Sequence, residues 1–383
     1  MDNRRVYLDH AATTPVAKEV LEAMMPYFSE KYGNASSLHA FGREAKDALE
    51  NSREKIAKKL NAAPEELLFT SGGTESNNLA LKGIAQNKGK GHIITCKIEH
   101  SAILAPCRLL EKQGFTVTYL GVDKYGTVDP SDVEKAVRDD TILVSIGHAN
   151  NEIGTVQDLE AIGKITKERG VLFHTDACQS FTKEGINVKK QNLDLVSINS
   201  HKIYGPKGVG ALFIRDGVKI SSQLQGGEHE KNLRAGTENV SGIAGFAKAA
   251  EIAGEKENAR VLELRKRLIK EILFGVEEVK LNGHPEKRLC NNSNFSFNGI
   301  EGESILLRLD MLGVACSTAS ACSSHSLMPS HVLLATGMKP EECHGSLRMT
   351  LGRDNTKEDI DYAISAVKEE VANLRRISPF WRK

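Results

Sequence analysis

Two hydrophobic periods divide the first half of the chain. Leu67-Leu-Phe-Thr, His92-Ile-Ile-Thr, Thr116-Val-Thr-Tyr-Leu, Ile142-Leu-Val-Ser-Ile and Val171-Leu-Phe-His-Thr are short β-rich runs, and each predicts a strand. Between them, segments from Thr74, from Ser101 to Gln113, at Ser131–Val137 and at Asp158–Arg169 carry helical spacing. Strands that alternate with helices predict a mainly parallel sheet covered on both faces. Such crossovers place ligand sites beyond the carboxyl ends of the strands. Ahead of this series, Val16, Val20, Met24 and Tyr27 mark one helix face, and a second amphipathic helix reaches about Leu60.

The pattern changes near Glu238. From there to Phe274 it is almost continuously helical, which predicts one long helix joining two domains. Short strands around Asn294–Phe297 and Val314–Cys316 follow, with helices near Glu301–Leu312 and Lys357–Arg375. This predicts a smaller α+β domain. The expected division is a large domain over 15–255 and a small one made of 1–14 and 256–383, with the first dozen residues packing on the C-terminal part. Composition narrows the class further. The 383 residues are 40% hydrophobic and 26% charged, with a net charge of +1, so no basic footprint points to nucleic acid or an anionic membrane. No apolar run approaches the length of a membrane span. Val6-Tyr-Leu-Asp9 begins as a strand, so no signal peptide is expected. Seven cysteines without framework spacing predict reduced thiols and a cytoplasmic protein.

Candidate chemistry collects at the predicted strand ends. Asp194-Leu-Val-Ser-Ile-Asn-Ser leads into Lys202, which a Tyr-Gly-Pro turn follows. A lysine fixed there suits a Schiff base, and a surface lysine beside a turn is the alternative. Thr70-Ser-Gly-Gly-Thr-Glu-Ser-Asn77 joins a strand to a helix, so its glycines and Thr74 can meet an anion or form only a capped turn. It is neither a Walker loop nor a dinucleotide fingerprint. His100 can stack on a planar group or cap a helix. Asn150 and Asn151 follow a strand as ring-oxygen ligands or turn residues. Asp176 ends a buried strand, where a carboxylate needs a partner such as a protonated pyridine, and Gln179 lies near it. Arg234 and Thr237, in a glycine-rich loop, suit a phosphate or a helix start. Cys322 falls in a small, polar run that reads as a mobile loop of about 316–330. A metal set of Cys316, Cys322, His325 and Cys343 is a further option, with unusual spacing. Arg348 can bind a carboxylate or form a structural ion pair.

Together these motifs resemble cysteine desulfurases of the class V aminotransferase family, specifically the housekeeping type that feeds iron–sulfur cluster assembly. The resemblance rests on Tyr7-Leu-Asp-His-Ala-Ala-Thr-Thr-Pro15, Thr70–Asn78, Glu99-His100, Asn150–Gly154, Asp176–Gln179, His201–Gly208, Arg234–Thr237 and Ser320–Cys322. It spans nearly the whole chain in order. It implies an α/β fold of the PLP-dependent transferase fold type I, a homodimer, pyridoxal 5'-phosphate as cofactor and L-cysteine as substrate. Lys202 would carry the cofactor, Asp176 would meet its ring nitrogen, Gln179 its phenolic oxygen and His100 its ring face. Gly73, Thr74 and His201 would hold the phosphate, with Thr237 reaching in from the partner subunit. Asn34, Asn151 and Arg348 would hold the substrate carboxylate, and Cys322 would take the sulfur as a persulfide. Sulfur would pass to an iron–sulfur scaffold protein and to other acceptors such as tRNA-thiolation carriers.

The chain departs from the family pattern at Asn199, where serine is usual, so Asn199 or Ser200 would supply that phosphate contact. It departs again at Gly226-Gly-Glu228, where the family has a third glycine. The C-terminal Ser378–Lys383 resembles the tail that meets the scaffold, and packing on its own protein is the alternative. A selenocysteine lyase, an aminotransferase-like relative and a non-catalytic sulfur or metal carrier are the competing readings. Cys322 argues against the aminotransferase, and Lys202 with Asp176 against the carrier.

Overall fold

The computed structural model describes residues 4–318 and 328–381. Cys322 and His325 lie outside the described residues. Twelve described strands run in chain order as β1 Val6–Tyr7, β2 Leu67–Thr70, β3 His92–Cys96, β4 Thr116–Leu120, β5 Thr141–Ser145, β6 Leu172–Asp176, β7 Leu195–Asn199, β8 Gly210–Ile214, β9 Val279–Leu281, β10 Asn292–Phe297, β11 Val314–Ala315 and β12 Ser346–Thr350. Seven of them form one sheet in the order β2-β8-β7-β6-β5-β3-β4. Pairing is parallel from β4 through β7, and β8 runs antiparallel to both neighbours. This is the mainly parallel sheet that the alternating pattern predicts.

Neighbouring residues on these strands enter different cores. Ile94, Val144, Phe173, Val196 and Phe213 pack into one apolar cluster, while Ile93, Leu143, Leu195 and Leu212 pack into another. Successive side chains on a strand point to opposite faces, so both faces are apolar and both are covered by helices. A third cluster belongs to the three-stranded sheet β12-β10-β9 and to β1 paired with β11. There Phe295, Leu347 and Met349 meet Leu268, Ile272, Ile364 and Val367 from the helices Glu255–Gly275 and Lys357–Ile377. Val6 pairs with Val314, so the start of the chain packs on its C-terminal part as expected.

Two helix expectations need correction. The span from Glu238 to Phe274 is two helices, Val240–Ile252 and Glu255–Gly275, because Ala253 and Gly254 are both extended. The first is capped by Asn239, not Thr237, through a bond from Gly242 N–H. The early helix face breaks likewise into Lys18–Met24 and Pro26–Ser29, since Pro26 cannot donate into a continuing helix. The described part of the tail folds back on its own chain. Trp381 lies 3.9 Å under the Arg375 guanidinium, against Gly299. Among the described residues, no helix is long and apolar enough to cross a membrane.

Candidate active site

The carboxyl ends of β3, β5, β6 and β7 open into one cavity of about 320 Å³. Its walls include Gly73, Thr74, His100, Asn151, Asp176, Gln179, Asn199, His201, Lys202 and Arg348, ten of the residues singled out from the sequence. Most arrive on a strand end, a helix start or the turn just after one, and Arg348 comes from the middle of β12, so the fold brings together positions far apart in the chain.

The anion end is built at β2. Gly72 precedes the helix Gly73–Lys88 with φ +152°, a backbone region suited to glycine. The helix therefore begins one residue before Thr74, which leaves the Thr74 side chain free of the capping role. A Cβ on Gly73 would lie 2.4 Å from the Cys178 sulfur, so bare backbone is required here. Helix N–H groups, the Thr74 hydroxyl and the His201 ring all line this end and suit a phosphate. His201 Nδ1 is 3.2 Å from Thr13 Oγ1, and burial with nearby Lys202 and Lys207 pushes its pKa down to about 4.

At the centre, Asp176 ends β6. Burial pushes its carboxyl up, but bonds from Cys178 N–H (2.9 Å) and Asn77 Nδ2 (2.6 Å) outweigh this and hold it below the usual range. A half-buried anion on the cavity wall fits a protonated ring nitrogen. No helix follows it, so the capping alternative falls away. His100 does cap the helix Ser101–Lys112, its Nδ1 accepting from Ala102 N–H at 3.0 Å, and it lines the cavity as well. With Nδ1 an acceptor, the neutral ring carries its proton on Nε2. Gln179 donates to the Ala11 carbonyl at 2.9 Å.

Arg348 occupies the far end and is only 3% exposed. Its Nη1 donates to the Asn151 carbonyl (3.0 Å) and its Nη2 to Asp9 Oδ1 (2.8 Å), while Nε is buried without a partner. The structural ion pair and the position on the cavity wall coexist. Asn34 and Thr237 are exposed and do not line the cavity. Ser200 lies behind the wall, its buried hydroxyl against Gly205. Arg234 pairs with Glu75 at 2.9 Å. Cys316 is half-buried and Cys343 packs into the core.

Three further residues at the site, Asn77, Asp9 and Glu99, have no role assigned from sequence alone. Asn77 follows Thr74 by three positions and so shares its helix face, a spacing that could have revealed it. Asp9 gives no such signal, because its partner is 339 residues away. Glu99 is buried, accepts from Gly147 N–H at 2.8 Å and Cys96 Sγ at 3.0 Å, and is pushed up to about 7 by burial.

A sequence profile described as Aminotransferase class-V matches residues 6–363. The chain belongs to that family. Its members depend on pyridoxal 5'-phosphate, and the donor set of the cavity fits that group. Over 98% of its length the chain is 55% identical to a protein of Dictyoglomus turgidum named cysteine desulfurase IscS, covering 97% of that protein. A protein of the same name from Methanosarcina thermophila is 54% identical over all of this chain and 96% of its own. Among solved structures, a NifS-like protein superposes with a TM-score of 0.91 at 39% identity, over 97% of this chain and 100% of its own. One described as SspA in complex with cysteine gives 0.83 at 38% identity, over 92% and 100%.

Proposed function

We propose that this class V aminotransferase family member is a pyridoxal 5'-phosphate-dependent cysteine desulfurase that supplies sulfur for iron–sulfur cluster assembly. The observation that carries the proposal is the convergence of Lys202, Asp176 and His100 on one cavity with a helix N-terminus at one end and Arg348 at the other. When bound, the cofactor supplies a protonated ring that withdraws electrons from the substrate α-carbon.

The residues of this chain do the rest. Lys202 would hold the cofactor through its side-chain nitrogen and, once free, would take the α-proton of the substrate. Asp176 would meet the ring nitrogen and favour its protonated form, Gln179 would meet the phenolic oxygen, and His100 would meet the ring and could hand on a proton from Nε2. Gly73, Thr74, Asn199 and His201 would anchor the phosphate, with Ser200 behind the wall. Arg348 and Asn151 would orient the substrate carboxylate, and Asn34, which is off the cavity of the single chain, would add to them only by reaching in. Cys322, outside the described residues, receives the sulfur: the substrate C–S bond breaks, an S–S bond forms on Cys322, and the carbon skeleton leaves as L-alanine. Sulfur then passes to a cluster scaffold and other acceptors in the cytoplasm.

Thr237 completes the phosphate site only from a second copy, so the proposed unit is a homodimer. Leu21, Met25, Phe28, Tyr32 and Phe41 support this, as large apolar side chains exposed on one chain. The separate core around β10 and β12 supports the division into 15–255 and 1–14 with 256–383. Purified protein incubated with L-cysteine should yield L-alanine and added sulfur on Cys322 by mass spectrometry. Lys202→Ala should show neither and should lack the visible absorbance of the bound cofactor. Unchanged alanine production by Lys202→Ala would overturn the proposal.

A further inference from the structure

A second lysine stands behind the first. Lys183 Nζ donates to the carbonyl of Gln179 at 3.0 Å and to that of Lys202 itself at 3.1 Å. Both acceptors are neutral. The residue before it, Thr182, has φ +66°, a left-handed conformation that a non-glycine residue adopts only at a cost. Lys183 and Lys202 both line a second, small cavity of about 20 Å³ with Tyr204, Glu257 and Cys290, room for about one water. Burial pushes the Lys183 ammonium down, to about 8, so at neutral pH it still carries its charge. That charge faces Lys202, His10 and His201, while Cys178, Glu257 and Cys290 face it. Glu184, next in sequence, also feels it.

We infer that Lys183 is a positioning residue for the reaction, a half-buried cation that ties the turn of Lys202 to that of Gln179 and sets a positive charge behind the cofactor-bearing lysine. This rests on the assignment of Lys202 as the cofactor-bearing lysine. The two hydrogen bonds fix the backbone from which Lys202 and Gln179 reach into the main cavity. The charge acts through space, because a cation near a second basic nitrogen disfavours that nitrogen's protonated form. On the opposite side of Lys202 are the Asp176 carboxylate, which acts in the other direction, and His100, which feels both. A lysine placed only for packing would have no need of a position against the carbonyl of the reactive residue.

The test is a spectrophotometric pH titration of the holoenzyme, whose cofactor absorbance changes when the lysine-bound nitrogen gains or loses its proton. Lys183→Met should move the midpoint up by about one pH unit. Lys183→Arg, which keeps the charge, should stay within a few tenths of a unit of wild type. Should the methionine variant not fold, Lys183→Gln keeps a donor for the carbonyls without the charge and carries the same expectation. A wild-type midpoint in the methionine or glutamine variant would overturn the inference, as would an equal shift in Lys183→Arg. If wild-type protein shows no titrating absorbance and Lys202→Ala is indistinguishable from it, the assignment of Lys202 fails, and the inference falls with it.

Discussion

Asn77 donates a 2.6 Å hydrogen bond to Oδ2 of Asp176, within the helix that begins at Gly73. The amide is buried, and with the Cys178 N–H it supplies the main bonds that hold the half-buried carboxyl below its usual range. Replacing Asn77 by alanine removes a bond to a charged group worth about 1.5–3 kcal/mol. Asp176 then protonates more readily and pairs less well with a ring nitrogen. We expect cofactor affinity to fall by roughly 10- to 100-fold, measured as release of pyridoxal phosphate on dilution. Retention equal to wild type would mean that the Cys178 N–H bond suffices alone.

Asp9 holds one arm of Arg348 at 2.8 Å and Asn151 O holds another. Asp9→Ala frees the guanidinium to adopt positions unsuited to a carboxylate. The expected result is a rise in KM for L-cysteine of about tenfold, roughly 1.4 kcal/mol, with a smaller change in kcat. Asp9→Asn keeps the acceptor and should lie between alanine and wild type. Steady-state kinetics on the three proteins decides this, and a pure kcat effect would count against it.

The fold was legible because β-rich runs and helical spacing alternate so regularly. Most of the ten cavity residues were legible because they stand at, or in the turn just after, a strand end or helix start that the pattern itself marks, whereas Arg348 lies mid-strand in β12. What escaped was of two kinds. Gly254 was read through as part of one long helix, since a single glycine in a charged helical pattern does not announce a break. Partners such as Asp9 with Arg348, or Arg53 with Glu230, meet only through the tertiary fold, and no local period encodes them. Thr237 is exposed and off the cavity, so its place in the phosphate site rests on the proposed homodimer alone.

The Arg53–Glu230 pair anchors the loop that carries Thr237. Both side chains are buried, at 2.7 Å, and Glu230 also accepts from Phe69 N–H at 2.8 Å. Glu230, Lys231 and Asn232 are all left-handed, with φ of 43°, 59° and 62°. Three such residues in a row persist only where contacts outside the loop over-determine them. Removing Glu230 by alanine leaves the buried Arg53 with only the half-exposed Glu50 carboxylate and the Leu67 carbonyl, and should cost about 3 kcal/mol. Urea unfolding measures this, and a loss under 1 kcal/mol would show that the loop needs no anchor.

Acid sensitivity follows from two histidines behind the site. Burial pushes His148 and His174 down to about 4, so both stay neutral in the fold. The unfolded chain takes up protons near 6.5, whereas the folded one resists until about 4. Their stabilising effect is therefore complete above pH 6.5 and lost as pH falls toward 4. Between pH 6.5 and 5 each loses on the order of 2 kcal/mol. The melting temperature should fall steadily across that interval and less steeply in His148→Gln. A flat profile would assign the acid limb to other groups.

Gly73 and Cys178 make the sharpest steric prediction. The missing Cβ of Gly73 would stand 2.4 Å from the Cys178 sulfur, and the next nearest atom is the Asn199 amide nitrogen at 3.6 Å. The sulfur alone is thus responsible for the clash. Cys178 is buried, and its thiol is pushed well above the usual range by that burial and by Asp176, so it is not a reactive group that the site would miss. Gly73→Ala should shift the first helical turn and weaken cofactor binding by at least tenfold. Cys178→Ala should be mild, costing about 1 kcal/mol of stability for the lost sulfur contacts. The double variant should bind cofactor far better than Gly73→Ala, because the cavity left by the sulfur accepts the new methyl. Equilibrium binding of pyridoxal phosphate to the three variants gives the coupling directly. Additive losses would mean that Gly73 is needed for backbone approach to the phosphate itself, independent of Cys178.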